Sequence, residues 1–305
     1  MIKPPALGEN SRILLVAPAG PVTTARISRA YERCHGLGFR PVLGESARLR
    51  HGYLAGPDPH RAADLRRGIE DPDIDGIWAL RGGYGTMRIL GDVDLSVLRD
   101  RPRAFIGFSD NTSIHLALAR LGVVSFHGPH AGFDRFPRWA SDAMMRVVGR
   151  AEAAGTLPGE VAPRPRTLRG GSAEGRLLGG NLSLLAAACG TPFQPDARGA
   201  ILFVEDVAEP VYRIDRMLTQ LRLAGALEGL AGLAFGRFTR VRTGQDDLPL
   251  DAVLSGFAER LDVPAVADLP FGHVAMNWTL PLGCRAALDA DRRTLSILEP
   301  AVVAP

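Results

Sequence analysis

Five short apolar runs alternate with stretches of helical periodicity through the first half of the chain: RILLVA from Arg12, PVLG from Pro41, GIWAL from Gly76, AFIGF from Ala104 and VVSF from Val123. Strands that are apolar on both faces need cover on both faces. The intervening helices supply it, so the pattern predicts an α/β unit built on a mostly parallel sheet. Ligands of such sheets gather at the carboxyl ends of the strands. That directs attention to RGGYG (Arg81 to Gly85) after the third run and SDN (Ser109 to Asn111) after the fourth.

A chain of 305 residues exceeds the usual size of one core. From about Glu152 to Gly171 it turns rich in Pro, Gly and Arg and loses periodicity, as an interdomain connection would. The expected division is a first domain over 1–155, a connection over 156–170 and a second domain over 171–305. The second part opens on a glycine-rich GRLLGGNLSLL, followed by a strand-like AILFVED. Ile214, Met217, Leu218 and Leu221 then fall at i, i+3, i+4 and i+7, predicting a helix stopped by Gly225. Further strands are expected at LAGLAFGRF, VPAVADLP and TLSILEP, making a mixed α/β or α+β domain.

Composition removes several chemistries. Only Lys3 among the 36 basic residues is a lysine, and it stands near the terminus, so Schiff-base chemistry, pyridoxal phosphate anchoring and a GxxxxGK[ST] phosphate loop are excluded. The net charge of +3 is spread over scattered arginines, with no patch suited to nucleic acid. Cys34, Cys189 and Cys284 are odd in number and widely spaced, and read as buried thiols in a reducing compartment. Neither a secretory signal nor a membrane-length apolar stretch is present, so a cytoplasmic location is expected. No HExxH or compact His/Asp cluster suggests a metal.

Ser109 directly follows a strand and directly precedes a helix carrying Ile114, Ala117, Leu118 and Leu121 on one face. A sharp turn there lifts a hydroxyl out of the sheet and aims helix N-terminal amides at the same point, the arrangement of a nucleophile elbow. Gly107 permits a tight approach. The string GFSDN lacks the second glycine of G-x-S-x-G, and Ser109 as a simple helix N-cap is the plain alternative. RGGYG can bring a backbone N–H to the same centre, or serve as a phosphate-binding or ordinary tight turn. A serine nucleophile needs a base, normally histidine, oriented by a carboxylate. His35, His51, His60 and His115 are poorly placed, leaving His127 and His130 in SFHGPH and His273 in LPFGHVAMNWTLPLG. Glu205 and Asp206, at the end of the buried run ILFV, are the acid candidates, and composition does not choose between them.

The strings ILLVAPAGP, ALRGGYGTMRIL, FIGFSDNTSIHLAL, GNLSLLAAACGTPF, ILFVEDVAEPVYRIDRMLTQL and PFGHVAMNWTLPLG stand in this order from about residue 13 to residue 283. Together they resemble the LD-carboxypeptidases, a serine peptidase group that includes the microcin C immunity peptidases. The resemblance implies an N-terminal flavodoxin-like domain carrying Ser109 as nucleophile and a C-terminal swivelling β/α domain carrying Glu205 as orienting acid and His273 as base. It further implies an oxyanion hole from the N–H groups of Asp110 and Gly83, with Gly82 the weaker candidate, and no metal or organic cofactor. The implied substrate is a small peptide, a murein tetrapeptide losing terminal D-alanine during cell-wall recycling in the cytoplasm. Homodimers are common in the group, though this sequence reveals no interface.

A carboxylate-bearing substrate calls for an arginine or a backbone nest, with Arg81 and Arg88 as candidates beside their ordinary pairing roles. The rival within the group is a peptidase acting on aminoacyl-nucleotide-like toxins. Trp139 or Trp278 stacked on a nucleobase would mark it, against plain core packing. Outside that group stand a muropeptide-binding protein without activity, which would lack one of Ser, Glu or His, and an α/β-hydrolase esterase, disfavoured by the missing glycine. A swivelling second domain could leave His273 far from Ser109 until closure, and the sequence leaves open whether the two meet without substrate.

Overall fold

The computed structural model describes residues 1–159 and 161–305; Glu160, inside the expected connection, lies outside the described residues. The five apolar runs become β1 (Arg12–Val16), β2 (Arg40–Leu43), β3 (Gly76–Ala79), β4 (Ala104–Gly107) and β5 (Ser125–His127). They pair in parallel in the order β2-β1-β3-β4-β5, which is the flavodoxin-like order. β3 and β4 are buried along their whole length, as unbroken apolar runs require, whereas the flanking β2 is half-exposed. Helices Thr24–Gly36, Asp58–Glu70 and Thr112–Arg120 pack against the sheet.

The second sheet holds β6 (Ala153–Thr156), β7 (Arg166–Arg169), β8 (Ser172–Asn181), β9 (Ala200–Val207), β10 (Gly232–Thr239) and β11 (Ala265–Ala267). After β12 (Leu280–Leu282) it is completed by β13 (Arg285–Asp289) and β14 (Thr294–Pro300). Its order is β6-β14-β13-β8-β9-β10-β11-β7, parallel from β8 to β11 and antiparallel outside them. The helix expected after β9 spans Val211–Leu223, buries Ile214, Met217, Leu218 and Leu221, and stops before Gly225 at φ +72°.

The two sheets do not part at a single point in the chain. The segment read as a connection contributes β7 to one edge of the second sheet, and β6, just before it, forms the other edge. Half-exposed edge strands carry no apolar period, which is why these two read as irregular. In the opposite sense, β12 leaves the second half and pairs antiparallel with β5, aligning Leu280 with His127 and Leu282 with Ser125. One apolar cluster accordingly joins Trp78 and Phe126 of the first sheet to Phe203 and Phe271 of the second half.

A glycine pair in β8 permits two close approaches, Gly179 to Phe203 of the neighbouring β9 and Gly180 to the first half. Gly179 (φ +149°) and Gly180 (φ +144°) are in a backbone region reserved for glycine. A methyl group on Gly180 would lie 2.5 Å from Thr112 Oγ1, at the start of the helix behind Ser109, and the Asn181 N–H donates to that same hydroxyl at 3.0 Å. Cys34 and Cys284 are buried, Cys189 is half-buried, and none is paired. Among the described residues no helix is long and apolar enough to cross a membrane.

Candidate active site

β4 ends at Gly107, Phe108 is extended, and Ser109 takes φ +60° at the head of a short turn, Ser109–Asn111, that runs into helix Thr112–Arg120. A non-glycine residue in the left-handed region costs about 1–2 kcal/mol, so its surroundings must hold it there. Asn111 Nδ2 donates to Phe108 O at 3.0 Å, and Asp110 Oδ2 accepts from the Thr86 N–H at 2.8 Å and from its hydroxyl. A methyl group on Gly107 would stand 3.2 Å from the Cβ atoms of both Ala79 and Asn111, which is the tight approach expected of it. The N-cap position of helix Thr112–Arg120 is taken by Asn111, not Ser109, so the plain N-cap reading fails.

The hydroxyl meets His273 instead. Nε2 of His273 lies 3.1 Å from Ser109 Oγ, while Nδ1 lies 2.7 Å from Glu205 Oε2. His273 sits in the loop between β11 and β12, next to Gly272 at φ +105°, and a methyl group on Gly272 would stand 2.7 Å from that carboxylate oxygen. Glu205 and Asp206 are consecutive on β9 and therefore point to opposite faces. Asp206 accepts from the backbone and hydroxyl of Ser183 at 2.9 and 2.7 Å, from Asn181 Nδ2 at 2.9 Å and from the Val207 N–H at 2.8 Å, a structural role at the start of helix Leu182–Ala187. Asn181, which sequence reasoning did not single out, also reaches Glu205 Oε1 at 3.4 Å. The only signal for it was its place beside a glycine pair.

Among the described residues none of the other histidines bonds to Ser109, although His130 lines the same cleft. His35, His51 and His60 are exposed. His115 is buried beneath the elbow with Nδ1 2.8 Å from Ser125 Oγ and Nε2 2.8 Å from Gly107 O. His130 is packed on Phe108, its Nε2 3.0 Å from Phe108 O and from Asn111 Nδ2. His127 is buried behind Glu205.

The RGGYG turn faces Ser109: a methyl group on Gly82 would lie 3.1 Å from Oγ and 3.3 Å from the Asp110 nitrogen, and Gly83 (φ +123°) packs against Gly20. The cleft above has a volume of about 800 Å³ and carries Arg26, Arg81, Arg135 and Arg240 on its walls, with Asp134 bonded to Arg26 at 3.0 Å. Arg81 is braced by Gly82 O at 3.1 Å and Pro21 O at 2.8 Å. Arg88 is instead paired with Asp58 at 2.7 Å, outside the cleft lining. Trp278 is fully buried and donates to Pro158 O at 3.0 Å, and Trp139 packs on the core; the aromatic side chains of the cleft are Phe108 and Phe133.

Residues 13–128 match the family model of the LD-carboxypeptidase N-terminal domain, and residues 174–288 match that of the LD-carboxypeptidase C-terminal domain. The chain belongs to the LD-carboxypeptidase family. It is 34% identical to the murein tetrapeptide carboxypeptidase of Pseudomonas aeruginosa, covering 93% of this chain and 94% of that one. The crystal structure of muramoyltetrapeptide carboxypeptidase from Oxalobacter formigenes superposes with a TM-score of 0.83 at 32% identity, covering 94% and 98% of the two chains. The microcin C7 self-immunity protein MccF in complex with glutamyl sulfamoyl guanosine shares the fold with a TM-score of 0.89 at 23% identity, covering 99% and 100%.

In this LD-carboxypeptidase the buried pair of His273 and Glu205 sets the electrostatics. Burial alone would raise the Glu205 carboxyl, but the His273 charge, with His127 beside it, outweighs burial and brings it down to about 2. Burial alone would lower His273, but the Glu205 charge and hydrogen bond outweigh that and raise it above its ordinary 6.5. The signs fix a pH dependence. The Glu205 share of folding stability is complete above its unfolded value of 4.5 and lost as pH falls toward 2, while the His273 share is complete below 6.5 and lost as pH climbs through the raised value. For His273 to accept a proton it must be unprotonated, so kcat/KM is expected to rise through an apparent pKa above 6.5. A pH profile of peptide hydrolysis checks this, and a limb centred below 6.5 would contradict it.

Proposed function

We propose that this protein is a cytoplasmic serine LD-carboxypeptidase that releases terminal D-alanine from murein tetrapeptides in cell-wall recycling. The observation that carries the reading is the continuous chain of contacts Ser109 Oγ–His273–Glu205 beneath a basic cleft. His273 Nε2 takes the Ser109 proton, and the alkoxide attacks the carbonyl of the residue preceding D-alanine. The oxyanion is held by the N–H groups of Gly83 and Asp110, with Gly82 left without a side chain so that the substrate can reach them. Protonated His273, stabilised by Glu205, passes its proton to the departing amine. It then deprotonates the water that hydrolyses the acyl-enzyme, restoring Ser109.

The arginine-lined cleft suits a substrate ending in a carboxylate, and Arg81, rigidly braced on the wall, is the residue assigned to it. Trp139 packs against the core and Trp278 is buried in it, and neither lines the cleft, which favours the peptide over a nucleotide-bearing toxin. The test is mass-spectrometric detection of D-alanine released from purified murein tetrapeptide, with the amidated tetrapeptide and chelator-treated protein alongside. Release from the free acid, much slower release from the amide and indifference to chelator are expected. An intact tetrapeptide with folded protein would sink the reading and move the test to aminoacyl-sulfamoyl nucleosides.

A further inference from the structure

Of the three buried histidines that Ser109, His273 and Glu205 leave unused, His115 and His130 have hydrogen-bond partners and His127 is the exception. His127, the last residue of β5, is fully buried, and neither ring nitrogen has a hydrogen-bond partner among the described residues. Its position is fixed all the same. Its backbone is paired with Gly107 on one side and Leu280 on the other, and Phe108, Phe203 and Phe271 close on the ring edge-on at 5.8, 5.2 and 6.5 Å. In that aromatic cage Nε2 points to Glu205, 3.9 Å from Oε1.

Oε1 is the oxygen of Glu205 that His273 does not use. Among the described residues its one hydrogen bond is the long 3.4 Å approach of Asn181 Nδ2, an amide held more closely by Asp206. A buried carboxylate short of a donor therefore faces a buried imidazole short of an acceptor, and each unmet group is costly in an apolar cage. A shift of about 0.7–1 Å closes the gap to hydrogen-bond distance.

We propose that His127 is a positioning residue for the acid: it carries its proton on Nε2, directs that N–H to Glu205 Oε1, and so keeps Oε2 turned toward His273 Nδ1. The inference rests on the Ser109–His273–Glu205 reading above and extends it to a group that touches neither substrate nor reacting atoms. Because β5 belongs to the first sheet and β9 to the second, the contact also ties the acid's orientation to the packing of the two sheets.

The test compares the wild-type protein, His127→Gln and His127→Phe on murein tetrapeptide, and determines the His127 tautomer by nitrogen NMR of the imidazole-labelled wild type. The amide of glutamine can place a donor near Nε2, whereas phenylalanine fills the cage without one. The phenylalanine variant is expected to lose about 10- to 100-fold in kcat with KM within about twofold, the scale of one lost hydrogen bond to a charged group. The glutamine variant is expected to recover most of that loss, and the wild-type His127 proton to reside on Nε2. An Nδ1 proton with a bare Nε2 overturns the proposal, as do equal losses in the two variants or an unchanged kcat in the phenylalanine variant. Should the phenylalanine variant not fold, the tautomer decides. The underlying reading fails separately: a wild-type protein whose Ser109 resists a fluorophosphonate defeats it and this inference together. If Ser109 is labelled but the tetrapeptide stays intact, only the substrate is wrong, and the labelling rates of the two variants are compared instead.

Discussion

Ser109→Ala is expected to lower kcat for peptide hydrolysis by about 10⁴- to 10⁶-fold while leaving the fold and substrate binding in place. Among the described residues the hydroxyl's one partner is His273 Nε2 at 3.1 Å, so its removal breaks no contact within the elbow. Alanine meets the same left-handed backbone at φ +60° as serine does, so the elbow keeps its shape. The thermal midpoint should therefore stay close to that of the wild type. A fluorophosphonate should add its mass to the peptide containing Ser109 in the wild type and to no peptide in the variant. Groups that act as a unit lose activity together, so Ser109→Ala combined with His273→Ala should be no slower than Ser109→Ala alone. A folded Ser109→Ala variant retaining a tenth of wild-type turnover would remove Ser109 from the mechanism.

The second large effect concerns stability. In Gly179→Ala the new methyl group would lie 1.9 Å from the carbonyl oxygen of Phe203, on the neighbouring strand β9, and φ is +149°. The obstacle is backbone inside a central parallel pair, which has no rotamer to change, so β8 must separate from β9 or twist. A loss of about 3–5 kcal/mol is expected, a fall of roughly 10 °C in the thermal midpoint for a chain of this size. Gly256→Ala is the matched control. Gly256 lies exposed within helix Leu250–Leu261 with nothing near its missing side chain, and alanine there should stabilise by about 0.5–1 kcal/mol. Thermal melts of the two variants check both signs, and a neutral Gly179→Ala would mean that β8 yields more readily than its pairing implies.

How much of this was legible in the sequence depends on which residues carried a local signal. The first sheet was legible because its central parallel strands are buried apolar runs, with only β2 at the edge half-exposed, and the helix Val211–Leu223 because its buried positions recur at helical spacing. β6 and β7 were not, since edge strands bury too little to show a period. β12 was hidden for a different reason: three residues, Leu-Pro-Leu, give no pattern, and only pairing with β5 makes them a strand. At the site, the strand-turn-helix around Ser109 announced an elbow. The preference for Glu205 over Asp206 and for His273 over His127 and His130 came from resemblance to a family, because side-chain direction at a strand end depends on partners distant in sequence. Asn181 escaped notice because its contacts with Glu205 and Asp206 cross between neighbouring strands.

The loop that carries His273 departs from β11 in one sheet and lands on β12 in the other, so its two anchors belong to different structural halves. A protein threaded in this way is not inherited as two interchangeable modules. A crossover within residues 156–170 that joined this first half to a relative's second half would lay a foreign β12 along Ser125–His127 and a foreign histidine loop over Ser109 in one step. Hybrids that survive should be those whose donor preserves the fit of Leu280 and Leu282 against β5, so that ancestry at these few positions governs whether the recombinant holds its histidine against Ser109.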